Sequence, residues 1–127
     1  FQVSPEEYEK NLRAIVERLR KETKAKVLFA LTTPIHDERA AKTRAERDYE
    51  LLNASTEQYN EIARRVMKEL DVPVNDLRKP LGDPAEQAKY LVDDGVHLNK
   101  DGVQKLGATV AEFVKPHLPA KPNAETK

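Results

Sequence analysis

An α/β fold in three layers, a parallel sheet covered by helices, is what this sequence predicts. Helical and strand-like segments alternate in the order helix, strand, helix, strand, helix, the pattern of right-handed crossover units. The first strand-like segment is a continuous apolar run, as expected of a parallel strand buried on both faces. Two strands are too few for three amphipathic helices. The partners that complete the sheet are therefore expected to come from elsewhere.

The elements follow in order. Ser4-Pro5-Glu6-Glu7 opens a helix, with Ser as N-cap, Pro in the first turn and Glu7 at the capping-box spacing. Tyr8, Leu12, Ile15, Val16 and Leu19 recur at helical spacing to about Lys21 and predict one buried face. Residues 26–32 form the first strand, which Thr33-Pro34 ends. The charged stretch 36–53 reads as a solvated, partly helical surface segment or a flap over a cleft. A second amphipathic helix is expected from near Ser55 to Leu70, with Ser55 as cap. Residues 71–77 form the second strand, with Pro73 tolerable near its start. A loop is expected over 78–93, then a last helix capped by Asn99 and carrying Val103, Leu106, Val110, Phe113 and Val114. The domain thus runs to 118, and residues 119–127 are expected to be a disordered polar tail.

Composition narrows the function classes. The 127 residues suffice for one domain and not for two. Lys and Arg (22) balance Asp and Glu (22), so neither nucleic acid nor a membrane surface is indicated as partner. The absence of Cys excludes disulfides, thiolate metal sites and a cysteine nucleophile without fixing the compartment. No apolar run approaches the roughly 18–20 residues of a membrane span, and no signal peptide is visible. Charged residues make up 35%, yet the apolar ones are periodic, which marks a folded chain. The first residue is Phe1 and the only Met is Met67, so the segment is expected to be processed, cleaved, engineered or given without its beginning, which fits a fragment.

The chemistry concentrates in Asp94-Gly95-Val96-His97-Leu98-Asn99. A carboxylate three residues before a histidine in a tight turn can orient the imidazole as a general base, since histidine titrates near neutral pH. The competing structural reading makes Asp94 a cap for backbone amides and His97 incidental. His36, Asp37 and His117 lack the ligand spacing of a metal site with His97, so no metal is expected. Thr32 and Thr33 stand at the end of a strand, where open α/β sheets place ligands, although a strand closed by Pro34 explains them as well. Gly82, Gly95, Gly102 and Gly107 form no phosphate cradle.

The arrangement of strand, loop, Asp-Gly-Val-His-Leu-Asn and terminal helix resembles the C-terminal end of the SGNH (GDSL-type) hydrolases, a family of esterases and acylhydrolases. Residues 3–12, the strand end Leu31-Thr32-Thr33-Pro34 and Tyr59-Asn60 at the head of a helix fit the same family. The resemblance covers roughly 3–118. It implies a flavodoxin-like three-layer fold, of which this chain is the C-terminal half, with the sheet completed by a missing N-terminal half or a partner chain. It also implies a serine acyl-enzyme route on carboxylic esters, acetyl groups on carbohydrates among them, with no cofactor. The family's set is a Ser in a Gly-Asp-Ser segment, a Gly and an Asn that donate to the oxyanion, and Asp-x-x-His. On that pattern His97 is the base and Asp94 its orienting acid.

The Gly-Asp-Ser and Gly-x-Asn-Asp segments are absent from these residues. Ser4 and Ser55, the two serines, both read as helix caps rather than nucleophiles. The chain alone is therefore expected to be inactive. The competing class is a non-catalytic half-domain that homodimerises or docks to another protein through its unpaired sheet; a third reading is a helical interaction module with no site.

Overall fold

Helix α1 (Pro5–Glu22) begins where the sequence places it. The Ser4 hydroxyl accepts from the Glu7 amide while the Glu7 carboxylate accepts from the Ser4 amide, closing the capping box. The structure, a computed structural model, describes residues 3–119. The expected disordered tail, past Pro119, lies outside the described residues.

Strand β1 (Phe29–Ala30) pairs in parallel with β2 (Val74–Asn75), with Phe29 opposite Val74 and Ala30 opposite Asn75. The amides of Phe29 and Leu31 donate to the carbonyls of Pro73 and Asn75, both at 3.0 Å. Pro73 is thus harmless, because only its carbonyl enters the ladder. Both strands are shorter than the sequence suggests, since each has a single hydrogen-bonded neighbour among the described residues. β1 is also not buried on both faces as expected: Phe29 is half-buried and Ala30 exposed, and Leu31, just past the strand, is buried.

Helix α2 (Asp37–Thr43) is followed by α3 (Asn53–Glu69). Helices α1 and α3 pack together over one face of the sheet, burying Leu12, Val16, Leu31, Val66 and Met67. Each such side chain contributes about 1.5–3 kcal/mol of burial. Ile15 and Leu19, expected in that face, are exposed (54% for Ile15), as are Val103 (58%) and Val110 on the last helix. The described residues supply nothing to cover them. A surface network ties α1 to α3: Glu9 accepts from Arg13 and Arg65, and Arg13 also reaches Glu69.

Ser55 does not cap α3, which starts two residues earlier. The Asp37 carboxylate accepts from the Asn53 amide at 2.7 Å and serves the helix start instead. The Asn53 side chain accepts in turn from the Ile35 amide and from Arg78 Nη2, both at 3.1 Å. Asn60, 1% exposed, accepts from the Thr32 amide at 2.9 Å and donates to the Thr32 carbonyl at 3.0 Å. The end of β1 is thereby pinned to α3.

The expected loop over 78–93 contains structure of its own. It holds a 3₁₀ turn at Lys79–Leu81, the short helix α4 (Pro84–Gln87) capped by Asp83, and another 3₁₀ turn at Ala88–Tyr90. The last helix, α5 (Lys100–Val114), is capped by Asn99, whose side chain accepts from the Gly102 amide at 3.0 Å. Gly102 has no room for a side chain, because a Cβ there would lie 2.6 Å from the Tyr90 carbonyl oxygen.

Candidate active site

The loop between the 3₁₀ turn ending at Tyr90 and helix α5 carries the candidate residues. It closes on itself through an antiparallel bridge between Leu91 and Leu98. The Val92 amide donates to the His97 carbonyl at 2.9 Å and the Gly95 amide to the Val92 carbonyl at 3.0 Å. Gly95 adopts φ +71°, a left-handed conformation that glycine takes without a Cβ penalty.

Asp94 makes contacts with both the turn and the ring. Its Oδ1 accepts from the amides of Val96 (2.8 Å) and His97 (3.0 Å), and its Oδ2 lies 2.5 Å from His97 Nδ1. The hydrogen bond with the His97 ring, followed by those from the two amides, holds the Asp94 carboxyl far below the usual carboxylate range. An ionised acceptor beside Nδ1 keeps the proton on that nitrogen, so in the neutral ring Nε2 is the basic one. The Asp94 side chain is 27% exposed and that of His97 77%. Among the described residues Nε2 has no hydrogen-bond partner.

The other residues singled out in the sequence lie apart from this pair. Ser4 caps α1, and Ser55 sits within the first turn of α3. Thr32 is engaged through its backbone by Asn60, and Pro34 behind it is buried. His117 stacks edge-on against Phe113 with centroids 5.7 Å apart. The His36 backbone meets the loop, its amide donating to the Gly95 carbonyl at 2.8 Å, while its Nδ1 is buried without a partner. Among the described residues no group of three or more His, Cys, Asp or Glu could hold a metal ion, and no helix is long and apolar enough to cross a membrane.

The contacts from α2 were not legible in the sequence. Arg39 Nη1 donates to the carbonyls of Ala88 (3.0 Å) and Leu91 (3.2 Å), and Arg44 Nη1 to the carbonyl of Asp94 (3.1 Å). The charged stretch is thus neither wholly solvated nor a detached flap: Ala40 is buried, and two of its arginines brace the loop. Both arginines stand among many other charges, with no spacing that marks them.

Residues 1–105 match the GDSL-like Lipase/Acylhydrolase family. The chain belongs to that family. Two solved structures share its fold. A lipase/acylhydrolase from Enterococcus faecalis aligns with TM-score 0.70 and 23% identity, over 94% of this chain and 55% of that one. LAE5, an alpha/beta hydrolase enzyme from the metagenome of Lake Arreo in Spain, aligns with TM-score 0.62 and 24% identity, over 92% and 50%. The chain therefore spans about half the length of these two proteins. No curated protein matches the sequence.

Proposed function

We propose that this GDSL-family chain is the base-bearing part of a serine-dependent carboxylic ester hydrolase, in which His97 is the general base and Asp94 its orienting acid. The observation that carries the reading is the 2.5 Å contact between Asp94 Oδ2 and His97 Nδ1, with the turn itself tied to the other carboxylate oxygen. This leaves Nε2 of a largely exposed ring free to take a proton.

The chemistry then runs in two steps. A serine hydroxyl supplied from outside this chain attacks the ester carbonyl as its proton passes to Nε2. The tetrahedral intermediate collapses, the ester C–O bond breaks, and Nε2 returns the proton to the leaving alcohol. Water, activated by the same base, attacks the acyl-serine, and the carboxylic acid leaves as the serine recovers its proton. Asp94 stabilises the imidazolium formed on each pass. The oxyanion donors, like the nucleophile, belong to the half that this chain lacks, and the exposed Ile15, Val103 and Val110 fit a chain that is covered by such a half or by a second copy. Acetyl esters of carbohydrates are the substrates to assay first.

The test is an assay of a protein that unites this chain with a serine-bearing half, on small aryl acetates and acetylated sugars. His97→Ala should remove most of kcat and leave KM nearly unchanged, because the base acts only on the way to the transition state. Near-normal turnover in that variant would end the assignment.

A further inference from the structure

We propose that Arg44 is a positioning residue for the Asp94–His97 pair, acting through the backbone carbonyl of Asp94. The inference rests on the reading of that pair as acid and base. Helix α2 and its ends meet the loop at three places. Its start receives Gly95, where the space a Cβ would need is taken by the His36 carbonyl oxygen at 2.6 Å and by the Ala40 nitrogen and Arg39 Cβ at 2.8 Å. Arg39 holds the foot of the loop at Leu91. Those two contacts seat the loop as a body. Arg44 reaches the residue that holds the imidazole.

The Asp94 carbonyl lies in the peptide plane that joins Asp94 to Gly95, so its direction reports the ψ of Asp94 and the φ of Gly95. The next residue is the softest joint of the loop, because glycine has no Cβ to confine it. Fixing that plane sets the direction in which the Asp94 Cα–Cβ bond leaves it, and the Oδ1 bonds to the Val96 and His97 amides set the rotamer. Arg44 is well made for the task. Its Nη1 is held by Thr43 Oγ1 at 3.0 Å as well as by the Asp94 carbonyl, and the residue is half-buried where Thr43 and Ala45 are exposed. A guanidinium donor gives a charge-assisted bond, stronger than a neutral one. Without it the plane can rotate while the Leu91–Leu98 bridge stays closed, and the carboxylate swings off Nδ1.

The tautomer of His97 reads this directly. In a ¹⁵N-labelled sample of the chain above the titration of its histidines, long-range ¹H–¹⁵N correlations distinguish a proton on Nδ1 from one on Nε2. Free imidazole side chains in water favour Nε2–H, whereas the Asp94 contact selects Nδ1–H. Arg44→Ala should lower the Nδ1–H fraction by roughly half or more, Arg44→Lys should restore much of it, and Asp94→Asn sets the value for a broken pair. Thermal unfolding of each variant confirms that the spectra come from folded protein. Should Arg44→Ala fail to fold, Arg44→Gln carries the same comparison. Signals of Arg44→Ala that match the parent beside changed signals in Asp94→Asn overturn the role of Arg44. No change in Asp94→Asn would instead remove the pair, and with it the proposed function.

Discussion

Asp94 divides its carboxylate between the turn and the ring: Oδ1 takes the amides of Val96 and His97, and Oδ2 meets His97 Nδ1. Cap and orienting acid are competing readings of the sequence, yet the geometry makes one the condition of the other. The amide bonds hold the side chain on its own turn, and the second oxygen is then turned toward the ring.

Substitution separates the two tasks. In Asp94→Asn the amide oxygen can keep the capping bonds, but the NH₂ group now faces Nδ1 and favours the wrong tautomer. Stability should change by less than about 1 kcal/mol, while turnover of the completed enzyme falls about 10²–10⁴-fold. Asp94→Ala should lose the cap as well. Thermal melts and kcat on both variants check this; equal losses of activity and stability in Asp94→Asn would leave the carboxylate a merely structural role.

Two glycines should respond to alanine with opposite signs. Gly95→Ala combines φ +71° with a Cβ 2.6 Å from the His36 carbonyl, and neither can relax cheaply. A loss of about 2–4 kcal/mol is expected. Gly107, exposed in the middle of α5, meets nothing within 4 Å. Gly107→Ala should gain about 0.5–1 kcal/mol from helix propensity alone. Chemical denaturation of the pair measures both.

Much of this site was legible because local rules wrote it. The Ser4–Glu7 box, the Asn99 cap and the Asp94–His97 spacing all act within three residues, so sequence order is also spatial order. The family resemblance, residues 1–105 of which match the family, was readable in the same way. What was not legible depends on long-range partners. Ser55 looked like a cap until Asp37, 16 residues before Asn53, took over the start of α3. Ile15 and Val103 carry the right period for burial, but burial needs a second surface that periodicity does not supply. Arg44 lies 50 residues from Asp94, in a stretch where any charge looks solvated.

Asn60 should be the most costly polar side chain to truncate. It is buried and satisfies both backbone groups of Thr32 at the end of β1. Asn60→Ala leaves the part-buried amide and carbonyl of Thr32 without their partner, and a loss of about 1–3 kcal/mol in all is expected. Asn60→Asp should be nearly as harmful, because a carboxylate accepts from the Thr32 amide but repels its carbonyl. A shift in melting temperature comparable to that of an exposed substitution such as Gln58→Ala would contradict this.

The acid limb of stability follows from two carboxyls. Hydrogen bonds from Arg65 and then Arg13 lower Glu9 from 4.5 to about 2, and Asp94 is lowered further by His97 and two amides. Unfolding returns both groups to ordinary values, so in acid the unfolded chain binds more protons than the native one. Their stabilisation is complete above the ordinary carboxylate range and disappears as pH falls through about 4 toward 2. The melting temperature should be flat above about pH 5 and drop below it. Salt should weaken the Glu9 share, since exposed ion pairs are screened. Glu9→Gln should flatten the drop; an unchanged slope would assign the acid loss to other groups.

The isolated chain should not hydrolyse esters. Its serines sit at the start of α1 and inside α3, and neither is hydrogen-bonded to His97 among the described residues. A base and its acid raise the reactivity of a nucleophile that is present, and supply little when it is missing. The measurement is hydrolysis of small aryl acetates by the purified chain, beside a boiled control and the His97→Ala and Asp94→Asn variants. Parent, variants and control should all give the background rate. Turnover that survives both substitutions would point to a contaminating esterase, because the base would be irrelevant to it. Turnover lost in His97→Ala would mean that a nucleophile within these 127 residues is within reach of Nε2. The proposal that the serine comes from outside the chain would then be wrong.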